Sequence, residues 1–599
     1  MRERILLTVF IVAWSALVVR VFYFSVKSNE YYEELSSKNS TKTELIYPAR
    51  GVIFDRNKRP LAINKLGFAI SLAPHLSSEK NLPVLQKKLA MLLKFFPNTN
   101  IEKMKAIYMR EDSPYNHEFI RIIDFMPHEQ ILPFFTVLSF DENIKIESTT
   151  MREYPEGAMA GHIIGYVARI SKEDAEKKNI VSPNGFIGKD GLEKSYNDVL
   201  QGEPGSKVLR VNAYNEVVEE IDAKEPSKHH DLVTTIDVQL QKLVSSLFEG
   251  KSGAVVVMDV TDGSVLAAGS FPEYDVNSFV KGLSKDEWNG MVNDLNHPLT
   301  NRLTKGLYPP GSVIKPGVAL AFQRAGVDEH DSIVDEGFIE FGGRKFRDWK
   351  KEGHGVVDMR KAIKESCDTY FYKLSLRVGI NIIAETLQAL GLGTKTNTDL
   401  PGEFTGIVPS PEWKKKKYKK PWYAGETLNA TIGQGDTLVT PLQVAKFTAA
   451  MATGKNIAPK FAMSIGGKAV EPKITPLPIA FDQKMLNVIR EGMYQVCSTQ
   501  GGTAYSSLGY LPIKVAGKTG TAQVSTIAQS EINRMKEEQL EYYKRSHAWL
   551  TTYAPYESPK YVVTALVEHG GHGGSEAGPY VEQIYRKLIE LGYIKVQKQ

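Results

Sequence analysis

From Ile5 to Val26 the chain is apolar apart from one charge, Arg20, a run close to the ~20 residues a spanning helix needs. Arg2 and Arg4 precede it, which favours the N-terminus inside and the bulk outside. No small-residue cleavage site stands before Lys27-Ser28-Asn29-Glu30, so the run reads as an uncleaved anchor rather than a signal peptide. Residues 27–45 are polar and short of core. From 46 to 230, short alternating strands surround a helical stretch at Asn81–Met109, and the charged segment Lys224–Asp231 reads as a linker. A strand at Asp231–Ile236 opens the second half. Gly253–Met258 and Ser264–Ala268 then form a hairpin around Asp262-Gly263. Helical periodicity fills most of the chain beyond it, until strands return at Ile513–Val524, Ala548–Ala554 and Tyr561–Val567. Strands at both ends with helices between predict an α+β plan, an antiparallel sheet joined to a helical subdomain. The predicted divisions are a tail (1–4), an anchor (5–26), a juxtamembrane segment (27–45), a first domain (46–230) and a second (231–599).

Composition narrows the class. At 599 residues the chain exceeds one ordinary domain, and 42% hydrophobic with 24% charged residues fits globular domains beside a single span. A net charge of +5 gives no case for nucleic acid. Two cysteines, Cys367 and Cys497, make no disulfide scaffold.

The candidate chemistry lies in three short motifs. Ser312-Val313-Ile314-Lys315 places a hydroxyl and an amine on one helical face, as i and i+3 neighbours. Pro309-Pro310-Gly311 breaks the chain just before, so Ser312 falls at a helix start, where free N–H groups favour a developing oxyanion. Serine needs a base within reach. To be that base Lys315 must be largely neutral, through desolvation or a nearby cation, for which Lys518 is the candidate. Lys518-Thr519-Gly520-Thr521 reads as a strand whose glycine admits a second backbone. An extended peptide would pair with that edge, its carboxylate held by Lys518 and Thr519; alone, the motif would be an edge strand with a protective lysine. Ser366-Cys367-Asp368 stands between the two.

The order Ser-x-x-Lys, Ser-x-Asp, Lys-Thr-Gly is that of the penicillin-recognising serine enzymes. On it the chain resembles the class B penicillin-binding proteins, in particular the penicillin-binding protein 2 group of the rod-elongation system. Arg50–Arg56, Arg152-Glu153-Tyr154-Pro155, His162–Val167 and Gly191-Leu192-Glu193 resemble the family's non-catalytic pedestal. Gly433-Gln434-Gly435 and Thr440-Pro441-Leu442-Gln443 match the catalytic half. Arg347–Lys350, Gly353–Gly355 and Trp413–Thr427 point to the elongation group, as does Asp368, where the wider family usually carries Asn.

The resemblance implies an elongated mixed pedestal domain followed by a transpeptidase domain with a five-stranded antiparallel sheet. It implies a peptidoglycan D,D-transpeptidase in the bacterial inner membrane, its catalytic domain on the periplasmic side. Ser312 would attack a stem peptide ending in D-Ala-D-Ala, Lys315 would take its proton, and Ser366 with Lys518 would relay one to the leaving amine. Ser312 and Thr521 N–H groups would form the oxyanion hole, Thr519, Gly520 and Thr521 would line the donor site, and β-lactams would acylate the same serine. D-Ala-D-Ala carboxypeptidase activity would be a side reaction. Asp368 would orient the donor or Lys315, or be a cap or surface carboxylate. Implied partners are lipid II-derived glycan strands, a SEDS-family glycan polymerase and elongation scaffold proteins. The chemistry requires no cofactor.

Asp335, Asp348, His354 and Cys367 together offer oxygen, nitrogen and sulfur donors suited to zinc, though without tight Cys-x-x-Cys pairing. Some elongation-type relatives carry a structural zinc at matching positions, so the resemblance implies one here, bracing the loop of Ser366. The alternative is a buried Cys367, a satisfied His354 and two surface aspartates. The basic run Lys414–Lys420, interleaved with aromatics, reads as a solvated loop or as a contact for glycan or anionic headgroups. His569 and His572 read as loop residues beside the cleft. The rivals are a hydrolase, for which no deacylating base stands out, a penicillin sensor or scaffold, and a septal transpeptidase of the same class.

Overall fold

The computed structural model describes residues 2–27, 41–46, 48–171, 174, 186–212, 217–227, 229–524 and 540–596. Most of the expected juxtamembrane segment, 28–40, lies outside these. Arg2–Phe22 is a fully exposed helix, and the apolar run Arg2–Ser25 is long enough to cross a membrane.

Thr41–Ile46 departs from expectation. Placed largely in the juxtamembrane segment, it is a strand that pairs with Gly205–Val211, which in turn pairs with Val217–Lys224. Its opening Thr-Lys-Thr-Glu carries no apolar alternation, so it read as part of the polar segment.

The first domain is built on the long strand Pro60–Leu72, flanked by Ile120–Pro127 and Ile144–Glu153. The expected helical stretch is two helices, Leu82–Phe95 and Ile101–Glu111, whose buried Leu85, Leu89, Leu92, Met104 and Tyr108 cover that sheet. Strand Leu232–Thr234 joins the two halves. It runs parallel to Ile53–Phe54 of the first domain and antiparallel to Ala462–Ile465 of the second.

The pedestal-like motifs meet at one carboxylate. Glu193 is fully buried; Arg152 Nε and Arg50 Nε each donate to it at 2.7 Å, and Tyr154 Oη lies at 3.3 Å. Arg50 also reaches Asn197 Oδ1 at 3.0 Å. Two guanidinium groups and a phenol satisfy what would otherwise be a costly buried charge.

The second domain carries the predicted five-stranded sheet. Its strands are β1 (Gly253–Asp259), β2 (Val265–Phe271), β3 (Ala516–Ala522), β4 (His547–Ala554) and β5 (Tyr561–Val567), in the order β2-β1-β5-β4-β3, all antiparallel. β3 is shorter than the expected Ile513–Val524 and forms an edge. The helical subdomain includes α1 (Lys315–Arg324), α2 (Asp368–Val378), α3 (Pro411–Tyr418) and α4 (Ala424–Thr431). Small hairpins interrupt it, among them Phe338–Phe341 with Arg344–Arg347, which helical periodicity did not predict. The Thr-Pro-Leu-Gln motif starts the buried helix Pro441–Thr453 with a capping box. Thr440 Oγ1 accepts from Gln443 N, and Gln443 Oε1 accepts from Thr440 N, both at 3.2 Å.

Candidate active site

Ser312 lies on a 3-10 turn, Gly311–Ile314, that runs directly into α1. In a 3-10 turn residues i and i+3 eclipse, so Ser312 and Lys315 point the same way. Pro316 sits in the first turn of α1, where no helical N–H is lost. The turn is clamped against β3. Gly311 adopts φ +55°, its N–H donates to Gly433 O at 2.9 Å, and a methyl on it would meet Thr521 O at 2.7 Å. Gln434 Nε2 donates to Thr521 O at 3.2 Å, and Trp549 Nε1 to Pro309 O at 3.1 Å. The Gly433-Gln434-Gly435 motif therefore holds the nucleophile turn against the Lys-Thr-Gly strand.

Lys315 is fully buried and points at the second motif. Its Nζ donates to Ser366 O and Asp368 Oδ1, each at 2.7 Å, and to Ser366 Oγ at 3.3 Å. Three acceptors thus surround the amine nitrogen. Among the described residues no hydrogen bond joins Ser312 to Lys315. Ser366 holds φ +59°, a left-handed conformation uncommon outside glycine that turns both its carbonyl and its hydroxyl toward the lysine. Of the roles open for Asp368, pairing with Lys315 is the one the geometry displays.

Lys518, on β3, is fully buried and donates to Thr519 O at 3.1 Å. Burial, and next the Lys315 charge, push its ammonium well below the usual lysine range. The two lysines are thus electrostatic neighbours, with Lys315 acting on Lys518 where the motifs predicted Lys518 acting on Lys315. Thr519 Oγ1 lies 2.7 Å from Thr503 Oγ1, and Gly520 faces the nucleophile turn, where a methyl would meet Pro310 O at 2.9 Å. Gly573, next to His572, packs on this strand, where a methyl would meet Gly520 O at 2.5 Å, whereas His569 N donates to His547 Nδ1 at 3.1 Å.

Asp335, Asp348, His354 and Cys367 come together with their ligand atoms within 4.8 Å of one another. All four are buried, which corrects the alternative of two surface aspartates. His354 Nδ1 lies 2.7 Å from Asp335 Oδ2 and 3.5 Å from Asp348 Oδ1, while His354 Nε2 is buried without a hydrogen-bond partner. Burial, then the Asp348 charge, push the Cys367 thiol far up; burial, then Asp368, raise Asp348. Two carboxylates and a thiol packed around one imidazole lack a matching positive charge. This O, N and S donor set fits a zinc ion.

Sequence reasoning missed a second buried network. Arg302 holds Glu568 bidentately at 2.8 and 3.0 Å, and Tyr308 Oη donates to Glu568 Oε1 at 2.6 Å. It ties the end of β5 to the segment leading into Ser312. Its members stand 260 and 266 residues apart, beyond any local pattern.

Residues 253–590 match the family described as penicillin binding protein transpeptidase domain, and residues 45–234 the penicillin-binding protein dimerisation domain. A Salmonella typhimurium protein named peptidoglycan D,D-transpeptidase MrdA is 32% identical over 97% of this chain and 94% of its own length. Among solved structures, Helicobacter pylori PBP2 in complex with MreC is 42% identical with a TM-score of 0.84, covering 92% of this chain and 99% of that one. A structure titled for coordination of polymerization and crosslinking by a peptidoglycan synthase complex is 28% identical, with a TM-score of 0.71 and full coverage of both chains.

Proposed function

The chain belongs to the penicillin-binding protein transpeptidase family and is a peptidoglycan D,D-transpeptidase of the elongation type, and within it we propose a division of labour among the site residues. Ser312 Oγ attacks the carbonyl of the penultimate D-Ala of a stem peptide, and its proton passes to Lys315 acting in its neutral amine form. The C–N bond breaks, and terminal D-Ala leaves with a proton relayed through Ser366 Oγ. An amine of a neighbouring stem peptide then attacks the ester, a new C–N bond forms as the acyl C–O bond to Ser312 breaks, and a proton from that amine returns to Ser312 Oγ through Lys315.

The backbone N–H groups of Ser312 and Thr521 stabilise the oxyanion, each such donor typically worth about 2.7–4 kcal/mol. The donor peptide pairs with the free edge of β3, with Thr519 and Thr521 holding its carboxylate and Gly520 giving its backbone room. Lys518, buried behind them, donates to Thr519 O and holds that strand in place. Asp368 positions Lys315. The observation that carries this reading is the Lys315 Nζ contact with both Ser366 Oγ and Asp368 Oδ1. The experiment is incubation with a fluorescent penicillin and intact-mass measurement. One stable adduct on wild type and none on Ser312→Ala supports it; an adduct persisting on Ser312→Ala sinks it.

We extend the proposal to a zinc held by Asp335, Asp348, His354 and Cys367. Four protein ligands close such a site, so the ion supplies rigidity and charge balance, with no position for substrate. Cys367 Sγ also accepts from Tyr370 N at 3.4 Å at the start of α2, so the cluster fixes the loop that presents Ser366 and Asp368. The N-terminal helix fits a single-pass anchor. We place it in the inner membrane with the catalytic domain outside, working with a SEDS-family polymerase and a scaffold protein. The Helicobacter relative's complex with MreC supports the scaffold partner.

A further inference from the structure

The basic run 414–420 is mostly helical rather than a loop: its first five residues lie in α3 and its last two follow it. Together with residues 344–351 it contributes ten exposed Lys and Arg side chains, and neither segment exposes an acid, since Asp348 is buried. The acids at the margins are Glu340, which pairs with Lys345 at 3.4 Å, Glu352 and Glu412, so ten cations face three flanking carboxylates on a chain that nets only +5. Packing joins the two segments. Phe346 comes within 4.0 Å of the Cβ position of Gly425, and it packs against the small apolar cluster of Ile339, Tyr372 and Leu428.

Both segments are tied to backbone that shapes the catalytic centre. Trp349 Nε1 donates to Glu365 O at 3.1 Å, one residue before Ser366. Tyr418 Oη donates to Asp436 Oδ1 at 3.1 Å, one residue after the Gly433-Gln434-Gly435 clamp. Three aromatic rings stand among the cations, with Trp349 55%, Tyr418 43% and Tyr423 59% exposed. Consecutive like charges on α3 are unfavourable for a helix surface without a counter-charge. Among the described residues, the lysines of α3 have one such partner, Glu426 against Lys414.

We propose that this face docks the acceptor strand of peptidoglycan, a glycan whose stem peptides carry free carboxylates. The inference rests on the transpeptidase reading and adds where the second substrate lies. The donor peptide takes the edge of β3 on one wall of the cleft. The basic face belongs to the opposite wall, through Glu365 and Ser366, and so is free for the other strand. Carboxylates complement its charge and pyranose faces pack on its rings. An anionic membrane surface is the competing occupant, and the attachment of both segments to the cleft favours the wall polymer.

The test uses full-length protein in detergent, comparing wild type with Arg344→Glu/Lys415→Glu/Lys416→Glu and with a control reversal at Lys80, Lys103 and Lys105. Penicillin acylation of Ser312 should stay within about twofold in all three, since the face lies outside the donor site. Failure of wild type to acylate would overturn the transpeptidase site itself, separately from this inference. With a small thioester donor, transfer to soluble uncross-linked glycan strands should fall about tenfold in the cleft-side variant and lose its salt dependence. Transfer to free D-alanine should not change. Retention on insoluble sacculi should fall in parallel. Equal loss with both acceptors, no loss with either, or loss of binding to phosphatidylglycerol vesicles with strand transfer intact would each overturn the docking of an acceptor strand.

Discussion

The buried Nζ of Lys315 stands 2.7 Å from Asp368 Oδ1, and only 14% of the aspartate side chain is exposed. Truncating one member of a buried pair leaves the other uncompensated, typically at about 3–5 kcal/mol. Asp368→Ala should therefore slow acylation by fluorescent penicillin by about a hundredfold and lower Tm. Asp368→Asn keeps a hydrogen-bond acceptor at the same place and should remain within about tenfold of wild type. Equal rates for the two variants would show that the contact has no part in aiming Lys315.

Lys518 supplies a pH test of stability. Its folded pKa is depressed, first by burial and then by Lys315. Between the folded and unfolded pKa values the unfolded chain binds the extra proton, so stability rises with pH through that window. Lys518→Met removes the burden. It should melt higher than wild type at pH 7, with the gap closing toward pH 10, while acylation is lost. A gap that widens with pH in thermal melts would contradict this.

Glu273 behaves in the opposite sense. It lies where the two domains meet, accepting from Ala160 N at 2.8 Å, and burial raises its carboxyl from 4.5 to about 7. Here the folded state binds the extra proton between those values, so stability falls as pH rises from about 4.5 to 7 and is flat above. Glu273→Gln should match wild type at pH 4 and exceed it by several degrees in Tm at pH 8. Coincident melting curves at both values would remove the effect.

Metal analysis addresses the buried cluster. Protein purified without chelator should carry about one zinc per chain, and stripping it should lower Tm and slow acylation together, because the cluster and Ser366 share one loop. Less than about a tenth of an equivalent after gentle purification would end the zinc proposal.

Much of this architecture was legible in the sequence. Tyr561–Val567 was bounded correctly by its unbroken β-branched and apolar run, and the hairpin around Asp262-Gly263 by its turn residues. The three motifs were visible because Ser312 with Lys315, Ser366 with Asp368, and Lys518 with Thr521 are each local. What joins them was not. The left-handed φ of Ser366, the clamp of Gly433 on Gly311 and the tie of Glu568 to Arg302 and Tyr308 are long-range matters with no periodic trace. The same holds for Glu193: its motif was recognisable, but its role as a charge sink for Arg50 and Arg152 needed coordinates. Thr41–Ile46 escaped because its polar opening, Thr-Lys-Thr-Glu, shows no apolar alternation to read.

Strand Leu232–Thr234 hydrogen-bonds to Ile53–Phe54 on one side and to Ala462–Ile465 on the other. Covalent continuity through residues 224–231 is therefore not what keeps the halves together. A protein nicked by protease in that stretch should travel as one particle in gel filtration and separate only in denaturant. A partner pushing on the far end of the first domain would work against a rigid crank arm rather than a tether, with its torque delivered to the strand Ala462–Ile465.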